Sequence, residues 1–139
     1  MKGRKRHLLV DTLGWVLHAA VSEASMDDRL FVPWIVREAQ PFLPRLRHIW
    51  ADGGYQSETL AQGLLEHCEV ELEIVKRPAN AVGFHLQPKR WVVERTFAWL
   101  GRYRRLSKDY EYWVETSQSM IYLAMSHLML RRLAKGKAP

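Results

Sequence analysis

The sequence predicts an α/β fold, with helices packed on a mixed sheet. Three observations carry this. The apolar pattern changes period along the chain and reads strand, strand, helix, strand, helix, strand, helix, helix. An antiparallel hairpin followed by alternating strands and helices is the order of a mixed sheet with helical layers. The chain has 139 residues, 47% hydrophobic and 26% charged, which suits one folded domain and argues against disorder, collagen-like repeats or a coiled coil.

Residues 6–12 read as the first strand, with Leu8 and Val10 on one face and Leu9 and Asp11 on the other. Leu13-Gly14 is the turn, and residues 15–22 return antiparallel. Ser25-Met26-Asp27-Asp28 supplies a capping oxygen and first-turn acids for a helix that runs to Ala39, with Pro41 and Pro44 beyond it. Residues 47–51 form a short strand that stops at Asp52-Gly53-Gly54-Tyr55. Ser57 caps a second helix, which sets Leu60, Leu64 and Cys68 on one face. Residues 70–74 alternate and predict a half-buried strand near a sheet edge. Residues 78–87 are a loop. Pro88 opens a third helix that reaches Leu106. A fourth starts at Thr116 or Ser117 and continues through Arg132, and its apolar middle, residues 121–130, is expected to be buried. The hairpin offers no evident parallel partner for the strand at Trp50.

The net charge is +6, and a basic surplus of this kind favours a polyanionic partner. The cations cluster at residues 2–6, at Lys89-Arg90, at Arg102-Tyr103-Arg104-Arg105 and at Arg131-Arg132. A single cysteine, Cys68, excludes an internal disulfide and fits a reducing compartment. No apolar run reaches the ~18 to 20 residues of a membrane helix, and no signal-peptide core is evident. A cytoplasmic protein is the expectation.

Asp52 falls where a short apolar strand meets a Gly-Gly turn. Ligands of open α/β sheets bind outside the carboxyl ends of strands, and a carboxylate there can hold a hard cation. Asp-Gly is also the residue pair of an ordinary turn. Glu94 interrupts the apolar helical stretch 91–99. At helical spacing Arg90, Glu94, Ala98, Gly101 and Arg105 share a face, with Arg102 and Arg104 flanking it. A solvated Arg90–Glu94 ion pair accounts for the same spacing. Carboxylates from separate elements can hold two Mg²⁺ ions for an in-line phosphoryl displacement, with arginines positioning the phosphodiester. The histidines show no zinc-like pairing. The six tryptophans are mainly core candidates. One of them can stack on a base, but nothing in the sequence singles one out.

Three blocks, residues 3–14, 49–55 and 90–100, resemble bacterial insertion-sequence transposases of the Asp-Asp-Glu class, in that family's order and across nearly the whole chain. The resemblance implies a ribonuclease-H-like catalytic fold, with residues 1–139 forming part of the domain. It also implies Mg²⁺ (or Mn²⁺) dependence and strand transfer at terminal inverted repeats. Asp52 matches the family's second catalytic Asp and Glu94 its Glu, so both are the implied metal ligands. Arg90 matches the Arg of the motif Tyr-x2-Arg-x3-Glu-x6-Lys, and Lys89, Arg102, Arg104 and Arg105 are further candidates for DNA contact. Gln87 stands where that motif has Tyr, and Gly101 where it has Lys.

The family's first catalytic Asp lies on a strand upstream of the basic hairpin, where this sequence begins. Asp11 does not match it. The expectation is a C-terminal part of a transposase, lacking its first strand and inactive alone. Its partners are terminal-repeat and target DNA in the bacterial nucleoid, homo-oligomers are allowed, and no membrane is involved. One alternative is a non-catalytic, basic DNA-binding remnant. The other is a core fragment that cannot fold without its missing strand and aggregates through an open edge.

Overall fold

The computed structural model describes residues 3–76, 82–83 and 89–136; the side chain of Arg90 lies outside the described set. The chain divides into two units, one of Met1–Ser25 with Val92–Pro139 and one of Met26–Trp91.

In the first unit, β1 (Arg4–Val10) and β2 (Val16–Glu23) pair antiparallel, with Arg4 opposite Glu23 and Leu9 opposite His18. The register shifts between Leu9 and Val10. Both strands lie toward the N-terminal side of the expected β1 range and the C-terminal side of the expected β2 range. Asp11 explains this: its Oδ1 accepts from the amides of Leu13 and Trp15, each at 2.9 Å, so the turn begins at residue 11. Gly14 has φ +91°, as a left-handed turn position requires. The helix α4 (Val114–Ala134) packs on β2, where Tyr122 Oη accepts from the Ala19 amide at 2.8 Å. Trp15, Ala19, Val21, Leu100, Ile121 and Met125 form the centre of this core.

In the second unit, Asp27 caps α1 (Asp28–Ala39), its Oδ1 accepting from the Arg29 amide at 2.9 Å. Pro33 lies inside this helix and removes one backbone donor. The strand β3 (His48–Ala51) pairs parallel with β4 (Glu71–Ile74), from His48 opposite Glu71 to Ala51 opposite Ile74. Between them runs α2 (Glu58–Cys68). Ser57 Oγ caps it by accepting from the Leu60 amide at 3.2 Å, and Leu60, Leu64 and Cys68 are its buried face. Glu69 ends it in the left-handed region, φ +55°.

Four expectations are corrected. Among the described residues two two-stranded sheets take the place of one mixed sheet, and the Trp50 strand finds in β4 the parallel partner that the hairpin did not offer. These pairings establish mixed α/β structure without extending to a ribonuclease-H-like sheet. The third helix, α3 (Arg90–Gly101), stops five residues short of Leu106. Gly101 weakens its end, Tyr103 is extended, and a separate 3-10 turn (Arg104–Leu106) brings Leu106 into the core, so Arg105 does not share the α3 face of Glu94. In α4 only Ile121, Ala124 and Met125 of the apolar middle are buried; Leu123 and Leu130 face solvent, because one side of the helix meets β2. Among the tryptophans only Trp15 is buried, whereas Trp34, Trp91 and Trp113 are exposed. No helix among the described residues is long and apolar enough to cross a membrane.

Candidate functional site

Asp52 closes β3 at its carboxyl end and caps the 3-10 turn Gly53–Tyr55. The local chemistry dictates this. Its backbone stays extended at φ −78°, ψ 175°, and its Oδ1 accepts from the Gly54 amide at 2.9 Å. A Cβ on Gly54 would sit 3.1 Å from that same oxygen, so glycine keeps the cap uncrowded. Burial pushes the Tyr55 phenol above its ordinary value, and the nearby carboxylates of Asp28 and Asp52 push it further the same way. The turn reading of Asp52 is therefore correct, and it leaves Oδ2 as the second oxygen of a half-buried carboxylate at the end of a parallel strand.

Lys89 belongs to the same unit as Asp52. Its backbone has φ +74°, and its ammonium lies 3.5 Å from the ring centroid of Trp50, two residues before Asp52. The Trp50 indole donates to Glu73 Oε2 at 2.9 Å, and the His48 ring bonds the same oxygen at 2.8 Å. A carboxylate on one strand thus fixes two aromatic rings on the other and gives Lys89 a platform.

Glu94 lies in the other unit, exposed on α3. The residues that follow it anchor the helix to the hairpin turn. Arg95 Nη2 donates to the Leu13 carbonyl at 2.6 Å, and buried Thr96 Oγ1 donates to the Gly14 carbonyl at 2.6 Å. This clamp went unrecognised in the sequence, although a threonine amid apolar helix residues signals a buried hydrogen bond. The guanidinium groups of Arg95 and Arg132 lie 4.7 and 4.4 Å from the ring centroid of Trp99.

The basic clusters divide by role. Arg4 donates to the carbonyls of Glu111 and Tyr112 at 2.9 and 2.6 Å, and Arg6 to those of Leu106 and Lys108 at 2.7 and 3.2 Å. These arginines hold a loop, a use of the N-terminal charge that the sequence reading missed. Arg105 is paired with Glu111, its Nε donating at 3.0 Å. Arg102 and Arg104 are exposed. Arg90 begins α3, but its side chain lies outside the described residues, as do Gln87 and Pro88.

Aspartate and glutamate offer the hard oxygen donors that Mg²⁺ or Mn²⁺ takes, so the donor type fits such an ion. Among the described residues no group of three or more His, Cys, Asp or Glu side chains comes together to hold one.

Comparison with known proteins adds independent evidence. Residues 1–129 match the family model described as the transposase DDE domain. A curated relative from Burkholderia cepacia, named "Putative transposase for insertion sequence element IS402", is 34% identical over 116 residues, covering 78% of this chain and 54% of its own length. The chain therefore spans about half the length of that relative. No solved structure matches.

Proposed function

The chain belongs to the transposase DDE-domain family, and from that premise we propose that it acts in the transposition of an insertion sequence. The reaction is metal-dependent cleavage of a phosphodiester followed by strand transfer, on DNA carrying terminal inverted repeats and on target DNA. Asp52 and Glu94 are two of the metal-holding carboxylates. Arg90, Lys89, Arg102, Arg104 and Arg105 carry the DNA backbone, Arg105 from beside Glu111. The observation that supports this best is Asp52 at the carboxyl end of a parallel strand, where α/β sheets bind ligands.

When bound, Mg²⁺ or Mn²⁺ stabilises charge on the attacking and leaving oxygens. The chain's own residues do the rest. The Gly54 amide holds Asp52 Oδ1 and fixes the carboxylate's orientation, leaving Oδ2 for a cation. The Arg95 and Thr96 bonds hold the helix that carries Glu94. Lysine and arginine neutralise phosphates. Among the described residues no group of three carboxylates comes together, and an ion that depends on two carboxylates and water is held weakly, so the chain alone is expected to cleave weakly or not at all.

Nicking of supercoiled DNA in Mg²⁺ or Mn²⁺ tests this reading. Any nicking is expected to fall by about a hundredfold or more in Glu94→Gln, which is roughly 2.7 kcal/mol of transition-state stabilisation. DNA affinity stays intact or rises in the same variant. Metal-dependent nicking that survives Glu94→Gln refutes the catalytic assignment. A second reading, a non-catalytic DNA-binding remnant, is favoured by the lack of a three-ligand cluster among the described residues. It expects salt-sensitive DNA binding with no nicking in the unaltered protein.

A further inference from the structure

The loop between α3 and α4 carries the most exposed pair of aromatic side chains in the first unit. Tyr112 is 81% exposed and Trp113 65%, and Tyr110 precedes them, also exposed. The rings of Tyr112 and Trp113 stand edge to face, centroids 5.0 Å apart and planes at 87°. Large rings left in water at adjacent positions form a patch that invites a partner.

The backbone beneath them is held fast. Arg4 and Arg6 reach from β1 and donate to four of the loop's carbonyls, those of residues 106, 108, 111 and 112. The loop's two acids are already engaged: Asp109 with Arg4 at 3.2 Å and with Ser117 Oγ at 3.1 Å, and Glu111 with Arg105. Lys108 and Arg104 are exposed in the same loop, and Glu115 is exposed in the first turn of α4. The result is an anchored loop with polar backbone turned to the arginines, aromatic rings in solvent and two exposed cations against one exposed acid.

We propose that Tyr112 and Trp113 form a stacking platform for unpaired bases of a DNA strand, with Lys108 and Arg104 on its phosphates. Charge complementarity selects the partner: bases offer π-faces to rings, and the adjoining backbone is anionic. Stacked bases in a duplex hide those faces, so the platform takes single-stranded or frayed DNA. Anchoring also lowers the ordering cost of binding, because the rings are presented on a fixed backbone. This proposal rests on the DNA-transaction reading above, but concerns residues other than the two carboxylates.

The test uses the full chain and two fluorescent probes, an oligothymidine and a mixed-sequence duplex of equal length, followed by anisotropy. Replacing both rings, Tyr112→Ala with Trp113→Ala, is expected to weaken oligothymidine binding by about tenfold to a hundredfold and duplex binding by less than about twofold. Tyr112→Phe with Trp113→Phe retains a π-face and is expected to keep affinity within about threefold. Thermal melting of each variant confirms that the fold is kept. Equal losses on both probes, or no loss on the single strand, overturn the platform while leaving duplex binding and the nicking assay to decide the transposase reading. A protein that binds neither probe overturns both. A change of sedimentation in the alanine variant, with DNA affinity unchanged, assigns the patch to protein association and also overturns the proposal.

Discussion

Gly14 and Thr96 show how narrowly a single position can be constrained. Gly14 has φ +91°, and a Cβ there would lie 2.9 Å from Thr96 Oγ1. Gly14→Ala therefore meets backbone strain and a close contact together, and is expected to cost about 2 to 3 kcal/mol. Thr96→Val keeps the shape but leaves the Gly14 carbonyl without its buried donor, a loss of about 1 to 3 kcal/mol. Urea unfolding of both variants measures these values. Because the two residues touch, the double variant is expected to cost less than the sum. The turn glycine was legible from its neighbours, since positive φ is a local demand. Its threonine partner was not, because it stands 82 residues further along the chain. The same contrast separates the capping roles of Asp52 and Ser57, which their own sequence announces, from Arg4 and Arg6. Those two read as part of a polyanion-binding cluster until their carbonyl acceptors, some 100 residues away, are known.

At the scale of the element, periodicity located the four strands and four helices seen among the described residues, and it failed where composition outran geometry. The face of α2 with Leu60, Leu64 and Cys68 is buried as its spacing demands. In α4 apolar residues continue around the helix, and no single face can be chosen from them. Packing against β2 chooses it, which leaves Leu123, Leu130 and Leu133 outside. Leu64→Ala is therefore expected to cost about 2 to 5 kcal/mol, because it opens a cavity in a packed site. Leu130→Gln is expected to stay within about 0.5 kcal/mol, since its side chain is 64% exposed. Denaturant midpoints of the two variants distinguish a buried apolar residue from one that is merely apolar. The end of α3 was misjudged for a related reason. Helix propensity is weak, and the pull of Leu106 into the core redirects the chain after Gly101.

For the whole molecule, the total charge says less than where its donors are committed. Within the net +6, Arg4 and Arg6 keep their charge but turn their N–H groups to backbone carbonyls, and Arg105 is offset by Glu111. Arg104 is expected to behave differently. Arg104→Gln should reduce the slope of log affinity against log salt on duplex DNA by about 0.9, as one lost phosphate contact requires. Arg6→Ala should lower the melting temperature and leave that slope unchanged. The family was legible because short blocks of sequence stand in its order. The division into two units was not, because it depends on which distant segments pack together. That division has a temporal side. The segment Met26–Trp91 is contiguous, whereas the hairpin before it is completed only by Val92–Pro139. On the ribosome, the hairpin emerges before its clamp. At about 5 to 20 residues per second it waits roughly 5 to 20 s for α3 and α4, with the face that will meet them bare. The intervening unit is contiguous and can begin to pack during that wait. The hairpin is thus made before that unit yet secured after it, and the nascent chain is vulnerable there in the interval.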